Sequence, residues 1–552
     1  MLSLLIKNGV VVDGAGNPWY YADIGIQNGK IVEIGKLSGV IAERTINAEG
    51  LVVSPGFVDI HSHADFICPL SNHVEILEPL LLQGITTLVV GNCGLSPAPV
   101  NPKHLDLLKS YTAFFQGGKL EWNWLSLGDF LDQLAKKGVA FNIVPLVSHG
   151  AIRIAVMGFD SSAPSPSQLA EMKALVEQSL REGAFGISAG LIYAPGMYAS
   201  TDELVEITKP LEFYNAVFTC HVRGSSETGV MATKEIIEIA RINKIPVEHS
   251  HIEAFGEKYW SQIDEIISLH EKAREEGLDV TFDVIPYTFA NTTLTACFPP
   301  YALEGGIDNF LQKLKNREER EHLRYDVENM ISQWPTWLPG RWPHNLARAT
   351  GWKNIILLWA QSKKNANLLG KNFEEIGRML GKTPFDAACD LLIEEKGTAL
   401  ALYVGVSGDF QNEEGLKKFL KHPNGAINTD VILTGRGIPH PAAYGAFPRV
   451  LGRYVREQKL LKLEDAVRKM TSLSLRRFGV HNRGLIKPGM WADITIFNPE
   501  TIADTTTISK PNSPPEGIEF VIINGKIVAE GKKTHKDILA GQVLRNIPHN
   551  KT

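Results

Sequence analysis

Two histidines, His61 and His63, stand two residues apart at the end of the apolar run 56–60. In an extended strand, positions i and i+2 share a face. Other strand-like runs end in residues of related chemistry: 86–90 leads to Cys93, 216–219 to His221, and 247–249 to His251. A further run, 425–429, ends at Asp430. Four imidazoles with one thiolate suit a divalent transition metal, and sulfur with nitrogen favours zinc over magnesium or calcium. Zinc activates water as a nucleophile near neutral pH, and a carboxylate beside it can take a proton and return it to a leaving nitrogen. Asp430 is suited to that shuttle, to ligation, or to both. Each residue alone has an ordinary reading: a buried Cys is a small hydrophobe, and an Asp after a strand can cap a helix. His149 and His249 lack the strand-end placement and are read as structural.

Spacing indicates which elements must hold these groups. His61 to Cys93 is 32 residues and His221 to His251 is 30, close to the roughly 30 residues of one strand-helix unit. Three more runs, 141–147, 185–188 and 280–284, complete a set of eight, separated by helix-like stretches such as PSQLAEMKALVEQSLREG and MATKEIIEIARINKI. In a parallel barrel all strands end on one face, so residues far apart in sequence converge there. The expectation is an α/β fold with a (β/α)8 TIM-like barrel over 55–483. Both chain ends carry short Val/Ile-rich runs punctuated by Asn-Gly, which predicts antiparallel strands and tight turns. Residues 1–54 and 484–552 are therefore expected to form one small β-sandwich domain. Segment 300–360 breaks the rhythm with a charged helix-like stretch and the Trp/Pro-rich SQWPTWLPGRWP. It is read as an inserted lid whose Trp334, Trp337 and Trp342 cover the site.

The bulk composition is consistent with a small-molecule enzyme. In 552 residues, 56 Lys and Arg face 61 Asp and Glu, a net charge of -5 that argues against nucleic acid as a partner. No apolar run reaches the roughly 20 residues of a membrane span. The start lacks the cleavage pattern of a signal peptide, and five cysteines make no disulfide framework. The expected location is the reducing cytoplasm.

The motifs GFVDIHSHAD, VVGNCGLSPAP, GISAGLIYAPGMYAST, HVRG, EHSHIE, PYTFANTTL and IPHPAAYGAFPRVLGRYVRE resemble the D-aminoacylase (N-acyl-D-amino-acid deacylase) family of the amidohydrolase superfamily. The resemblance spans nearly the whole chain. It implies that Cys93, His221 and His251 hold one tightly bound zinc. It also implies that His61 and His63 belong to a second, weakly filled metal position bridged by Cys93, and that Asp430 acts as general base and then acid. Many superfamily members bridge two metals with a carboxylated Lys on the fourth strand; FGISAGLIY has none, which fits the Cys-bridged branch. Tyr193 and Tyr287 match family tyrosines near the substrate, and Thr292 or Thr293, with Thr293 favoured, matches a carboxylate-binding hydroxyl position.

Two positions depart from the family pattern. Glu253 stands where a Lys is common, and Ala442 stands where an Arg grips the substrate carboxylate; Arg436 is the alternative cation. Arg pairs with a carboxylate in a way Ala cannot replace. The implied activity is zinc-dependent cleavage of the linear amide of an N-acyl amine, either an N-acyl-D-amino acid or a derivative with a masked carboxylate. The alternative, a cyclic-amide hydrolase of hydantoinase or dihydroorotase type, is disfavoured by the missing strand-four Lys and the GNCG motif.

Overall fold

The computed structural model describes residues 1–546. The Val/Ile runs of the two ends pair with each other in one nine-stranded sheet. Ile494–Phe497 pairs antiparallel with Val52–Pro55, stitching the C-terminal strands to the N-terminal ones. Two Asn-Gly pairs are the expected tight turns. Asn28-Gly29 and Asn524-Gly525 both have positive φ (51° and 76°; 50° and 77°), which only such residues adopt cheaply. The third, Asn8-Gly9, lies inside Leu2–Val11 and marks a register shift instead of a turn. That first strand also pairs parallel with Ala42–Asn47 and Val52–Pro55, so the sheet is mixed where the sequence predicted antiparallel strands.

The middle of the chain is α/β with parallel sheets. We number its parallel strands β1 Phe57–Asp59, β2 Ile85–Val90, β3 Asn142–Pro145 continued by Val147–Ser148, β4 Gly186–Gly190, β5 Val217–His221, β6 Val247–His249, β7 Val280–Val284 and β8 Gly425–Ile427. Neighbours in this order pair in parallel, with the two halves of β3 pairing to β2 and β4. Beyond the ends of β8 and β1, Asp430 N donates to His61 O at 3.1 Å, and the Asp59 carboxylate accepts from Thr429 N (2.9 Å) and Oγ1 (2.5 Å). The strands are buried along their length, which explains their continuous apolar runs.

Intervening helices begin on recognisable caps. Ser165 and Gln168 form a capping box ahead of Pro166–Arg181, with Pro166 at the first helical position; such a cap contributes about 1 kcal/mol. Between β7 and β8 the chain makes an excursion, 285–424, of which 300–360 is only the middle. Its own antiparallel sheet joins Phe289–Thr293, Leu400–Val404 and Ile355–Trp359. The charged stretch predicted as one helix is two, Ile307–Lys315 and Arg317–Asn329, divided where Asn316 caps the second. The C-terminal chain leaves the terminal sheet: Gln542 O accepts from Ile143 N, and Leu544 N donates to Ile143 O, both at 2.8 Å. No helix among the described residues is long and apolar enough to cross a membrane.

Candidate metal centre and cleft

Each site residue follows the end of a parallel strand, or ends it. His61 and His63 follow β1, Cys93 follows β2, His221 ends β5, His251 lies just past β6, and Asp430 follows β8. Three of them hold backbone geometry that L-residues avoid, with φ of 53° at Cys93, 33° at His251 and 46° at Asp430. Each costs on the order of 1–3 kcal/mol and persists only where the surroundings impose it. Around Cys93 the imposing groups are visible. Ser188, from β4, accepts from Gly94 N at 3.0 Å and donates to Gly91 O, and Asn92 Nδ2 donates to Val89 O at 3.0 Å. Gly94 itself has φ of 67°, and a Cβ there would lie 2.7 Å from Gly190 N. At His251 the imposing group is Asp283, whose Oδ1 accepts from His251 N at 2.7 Å.

These backbones aim six donor atoms at one another. Cys93 Sγ lies 3.2 Å from His61 Nε2, 3.6 Å from His221 Nδ1 and 3.5 Å from His251 Nε2. Asp430 Oδ1 lies 3.2 Å from His63 Nε2 and 3.4 Å from His61 Nε2. Two overlapping sets result, His61/His63/Cys93/Asp430 and Cys93/His221/His251, with the sulfur common to both. Ligands around a tetrahedral zinc, with bonds of about 2.0–2.3 Å, stand roughly 3.3–3.7 Å apart, and the Cys93–His221–His251 distances match. All six side chains are buried. Burial holds His61 and His221 well below 6.5 and lowers His251, so these rings are in the neutral, ligating form. Burial, followed by the carboxyls of Asp430, Asp283 and Glu253, pushes the Cys93 thiol well above its usual range. A divalent cation reverses that balance and keeps a thiolate deprotonated. Burial acts to raise Asp430, but the imidazoles of His61, His251 and His63 more than offset it and hold the carboxyl at about 2.

A cleft opens on the Cys93–His221–His251 side, lined among others by Tyr193, Glu253, Asn291, Thr292, His344 and Asp430. Free space at its centre is about 20 Å³, enough for a water and not for an acyl amine, so a substrate enters only as lining residues move apart. Tyr193 packs edge-on against His221 with ring centres 5.1 Å apart, and its hydroxyl lies 2.8 Å from Thr292 Oγ1. Burial, then Asp430, pushes Glu253 well above the usual carboxylate range.

Four expected site features lie elsewhere. Thr293 does not line the cleft; its hydroxyl turns to Thr295 at 3.0 Å, and the cleft-facing hydroxyl is that of Thr292. Tyr287 donates to Asp504 at 2.8 Å and lines a separate cavity of about 880 Å³ beside the 506–512 loop. Arg436 is exposed and does not line the cleft. Ala442 opens a buried helix, and its N–H donates to His440 Nδ1 at 2.9 Å, leaving His440 Nε2 to donate to Phe289 O at 3.0 Å. The expected tryptophan lid is packing. Trp334 and Trp337 stack on the buried Arg223, 5.7 and 4.7 Å from its guanidinium, which also pairs with Glu235 at 3.0 Å; Trp342 is in the core. From the same segment it is His344 and Leu346 that reach the cleft. His149 pairs with Glu203 and His249 with His270, away from the donor atoms.

Sequence reasoning missed Asp59, Asp283, Asn291 and His344. Asp59 and Asp283 had a signal, since each is an acid inside an otherwise apolar strand run. Asn291, whose Nδ2 donates to Asp430 O at 3.3 Å, and His344 had none, because the excursion follows no period.

Known proteins match this chain along nearly its whole length. The amidohydrolase family model matches residues 44–233 and 409–529. The D-aminoacylase of Alcaligenes xylosoxydans xylosoxydans is 31% identical, with 95% of this chain and 93% of that protein covered. A solved D-aminoacylase, described by its binuclear metal centre, superposes with a TM-score of 0.79 at 30% identity, covering 99% of this chain and 100% of that one. The N-acyl-D-glutamate deacylase of Bordetella bronchiseptica, solved with zinc and a phosphonate mimic of the tetrahedral intermediate, gives 0.78 at 29% identity, with 99% of each chain covered. With its buried thiol shared between two sets of candidate strand-end ligands and its likeness to D-aminoacylases over nearly its whole length, the chain belongs to the amidohydrolase family, in the D-aminoacylase branch.

Proposed function

We propose that this chain is a zinc-dependent hydrolase of the linear amide bond in an N-acyl amine, with an N-acyl-D-amino acid or a carboxylate-masked derivative as the substrate class. The observation that carries the reading is the Cys93 sulfur standing 3.5 and 3.6 Å from two imidazoles, with Asp430 in the same cluster. Cys93, His221 and His251 would hold one tight zinc, and His61, His63 and Cys93 a second, weakly filled position. Bound there, zinc supplies Lewis acidity to the reacting carbonyl and acidifies water. Asp430, ionised at neutral pH, takes the proton of the attacking water and hands it to the departing nitrogen. Tyr193 with Thr292 forms a polar wall of the cleft and orients the substrate. Burial of the cluster keeps bulk water from competing with these contacts.

The same proposal covers the architecture. The eight parallel strands would close as a (β/α)8 barrel over 55–483, the Asp59–Thr429 bonds serving at the seam, with the terminal segments 1–54 and 484–552 as the small β domain. The five cysteines, all unpaired, fit a cytoplasmic enzyme acting on small molecules.

Asp430→Asn is the decisive variant. Its kcat should fall by about 10²–10⁴ with zinc content unchanged by elemental analysis. A wild-type rate in that variant rejects Asp430 as the proton shuttle. Turnover of a hydantoin in preference to acyclic N-acyl amines would reject the linear-amide reading.

A further inference from the structure

Glu253 and His344 are buried polar side chains of the cleft to which the reading above gives no role. Glu253 is 6% exposed and His344 is 3% exposed. One residue fixes both. Ser225 N–H donates to His344 Nδ1 at 3.4 Å, and Ser225 Oγ donates to Glu253 Oε1 at 3.2 Å. Ser226 Oγ lies 3.0 Å from the same His344 nitrogen. A backbone N–H can only donate, so His344 Nδ1 is an acceptor. Burial holds this ring to about 4, so it is neutral, and its one proton sits on Nε2. Among the described residues no partner engages His344 Nε2 or Glu253 Oε2. The cleft therefore offers one N–H donor and one carboxyl oxygen, set relative to each other by Ser225. No Lys or Arg lines it.

We propose that His344 and Glu253 recognise the amine portion of the substrate as a neutral group bearing both C=O and N–H, a carboxamide, in place of a free carboxylate. The proposal rests on the hydrolase reading above and names its substrate class: N-acyl amino-acid amides. A carboxylate entering the cleft beside Glu253 and His344 loses its water and meets no Lys or Arg, which is costly. A carboxamide satisfies both groups in either protonation state of Glu253: its oxygen accepts from His344 Nε2, and it carries both an NH2 to donate to a carboxyl oxygen and a lone pair to accept from a carboxyl O–H. The bond cleaved is the N-acyl C–N: water's oxygen joins the acyl carbon, its proton goes to the departing nitrogen, and the carboxamide stays intact. Ile192, Phe255 and Leu346 add apolar surface to the wall, so a leucine side chain is a suitable probe.

The test compares N-acetyl-D-leucinamide with N-acetyl-D-leucine on the zinc-loaded full chain. The wild type should favour the amide by tenfold or more in kcat/KM. Glu253→Lys should shift the preference tenfold or more toward the free acid, and His344→Ala should erase most of it through KM, both with unchanged zinc content. Calorimetric titration with the products, D-leucinamide and D-leucine, reads the same recognition without turnover and should rank them in the same order. A wild type that favours the free acid in both assays overturns the proposal while leaving the hydrolase reading intact. If neither substrate turns over, the hydrolase reading fails, and the titration alone decides: tighter D-leucine binding overturns the proposal, tighter D-leucinamide binding supports it.

Discussion

Cys93 is the residue on which both ligand sets depend, because its sulfur belongs to each. Its replacement removes a donor from both sets at once. Cys93→Ala should therefore lower zinc to a small fraction of one equivalent by elemental analysis, whereas His63→Ala, outside the Cys93–His221–His251 trio, should retain close to one. Equal zinc loss in the two variants would contradict the division into a tight and a weak position. Asp283 acts one layer out: its Oδ1 accepts from His251 N and from the Asn428 amide, and it lies 3.7 Å from His61 Nδ1. It thereby steadies two imidazoles without pointing at the cleft. Asp59 is comparable at the other side, pushed up to about 7 by burial despite the lowering hydrogen bonds from Thr429.

At the scale of elements, strand ends place the ligands and short loops impose the strained backbones. The loop after β2 is the clearest case, pinned by Ser188 and closed by Gly94. Gly94→Ala adds a Cβ 2.7 Å from Gly190 N at a φ of 67°. It should destabilise the fold by about 1–3 kcal/mol in a denaturant titration and weaken zinc binding with it; unchanged stability would show that the loop relaxes freely. A second element-level device lies between the helices His149–Met157 and Thr201–Thr208. There Glu203 meets His149 at 3.0 Å and Arg153 at 3.1 Å. Burial raises Glu203, but the His149 and Arg153 contacts more than offset it and leave its pKa lowered. A carboxyl depressed in the fold binds fewer protons there than when unfolded, so it stabilises above the ordinary carboxyl range. That contribution fades as pH falls below about 4.5 toward the depressed value. Glu203→Gln should flatten the loss of Tm between pH 5 and pH 3; an unaltered slope would assign the acid sensitivity to other groups.

Across the whole molecule, the candidate metal centre joins strands from both ends of the parallel set, β1 with β2, β5, β6 and β8. A cation bound there links segments up to 369 residues apart, from His61 to Asp430, and ligands that bind only the folded state raise stability by mass action. The zinc-loaded protein should melt above the same protein treated with a chelator, with the gap growing as free zinc rises. Coincident melting curves would mean that the six donor groups do not hold metal in the fold. The chain ends act at the same scale. The terminal sheet pairs the first strand's neighbours with the last strands, and residues 541–544 return to bond with 139–143, so the described residues of both ends are tied into the rest of the fold.

What the sequence determined by itself is local and periodic. His-x-His on one strand face follows from the two-residue repeat of extended chain, and the recurrence of ligand types every 30-odd residues follows from the length of a strand-helix unit. Turns at Asn28-Gly29 and Asn524-Gly525 follow from backbone freedom. What only the tertiary structure decided is pairing across distance. Asp59 meets Thr429, Asp283 meets His251, and Ser225 sets both Glu253 and His344. Tyr287 turns to Asp504, and Trp334 and Trp337 settle on Arg223. These partners sit on elements with no common period, some of them in an excursion whose path no repeat dictates, and buried polar groups find them because an unpaired one is costly. Residue type and spacing therefore picked out the candidate ligands that the fold brings together, while packing chose the residues that line the cleft beside them.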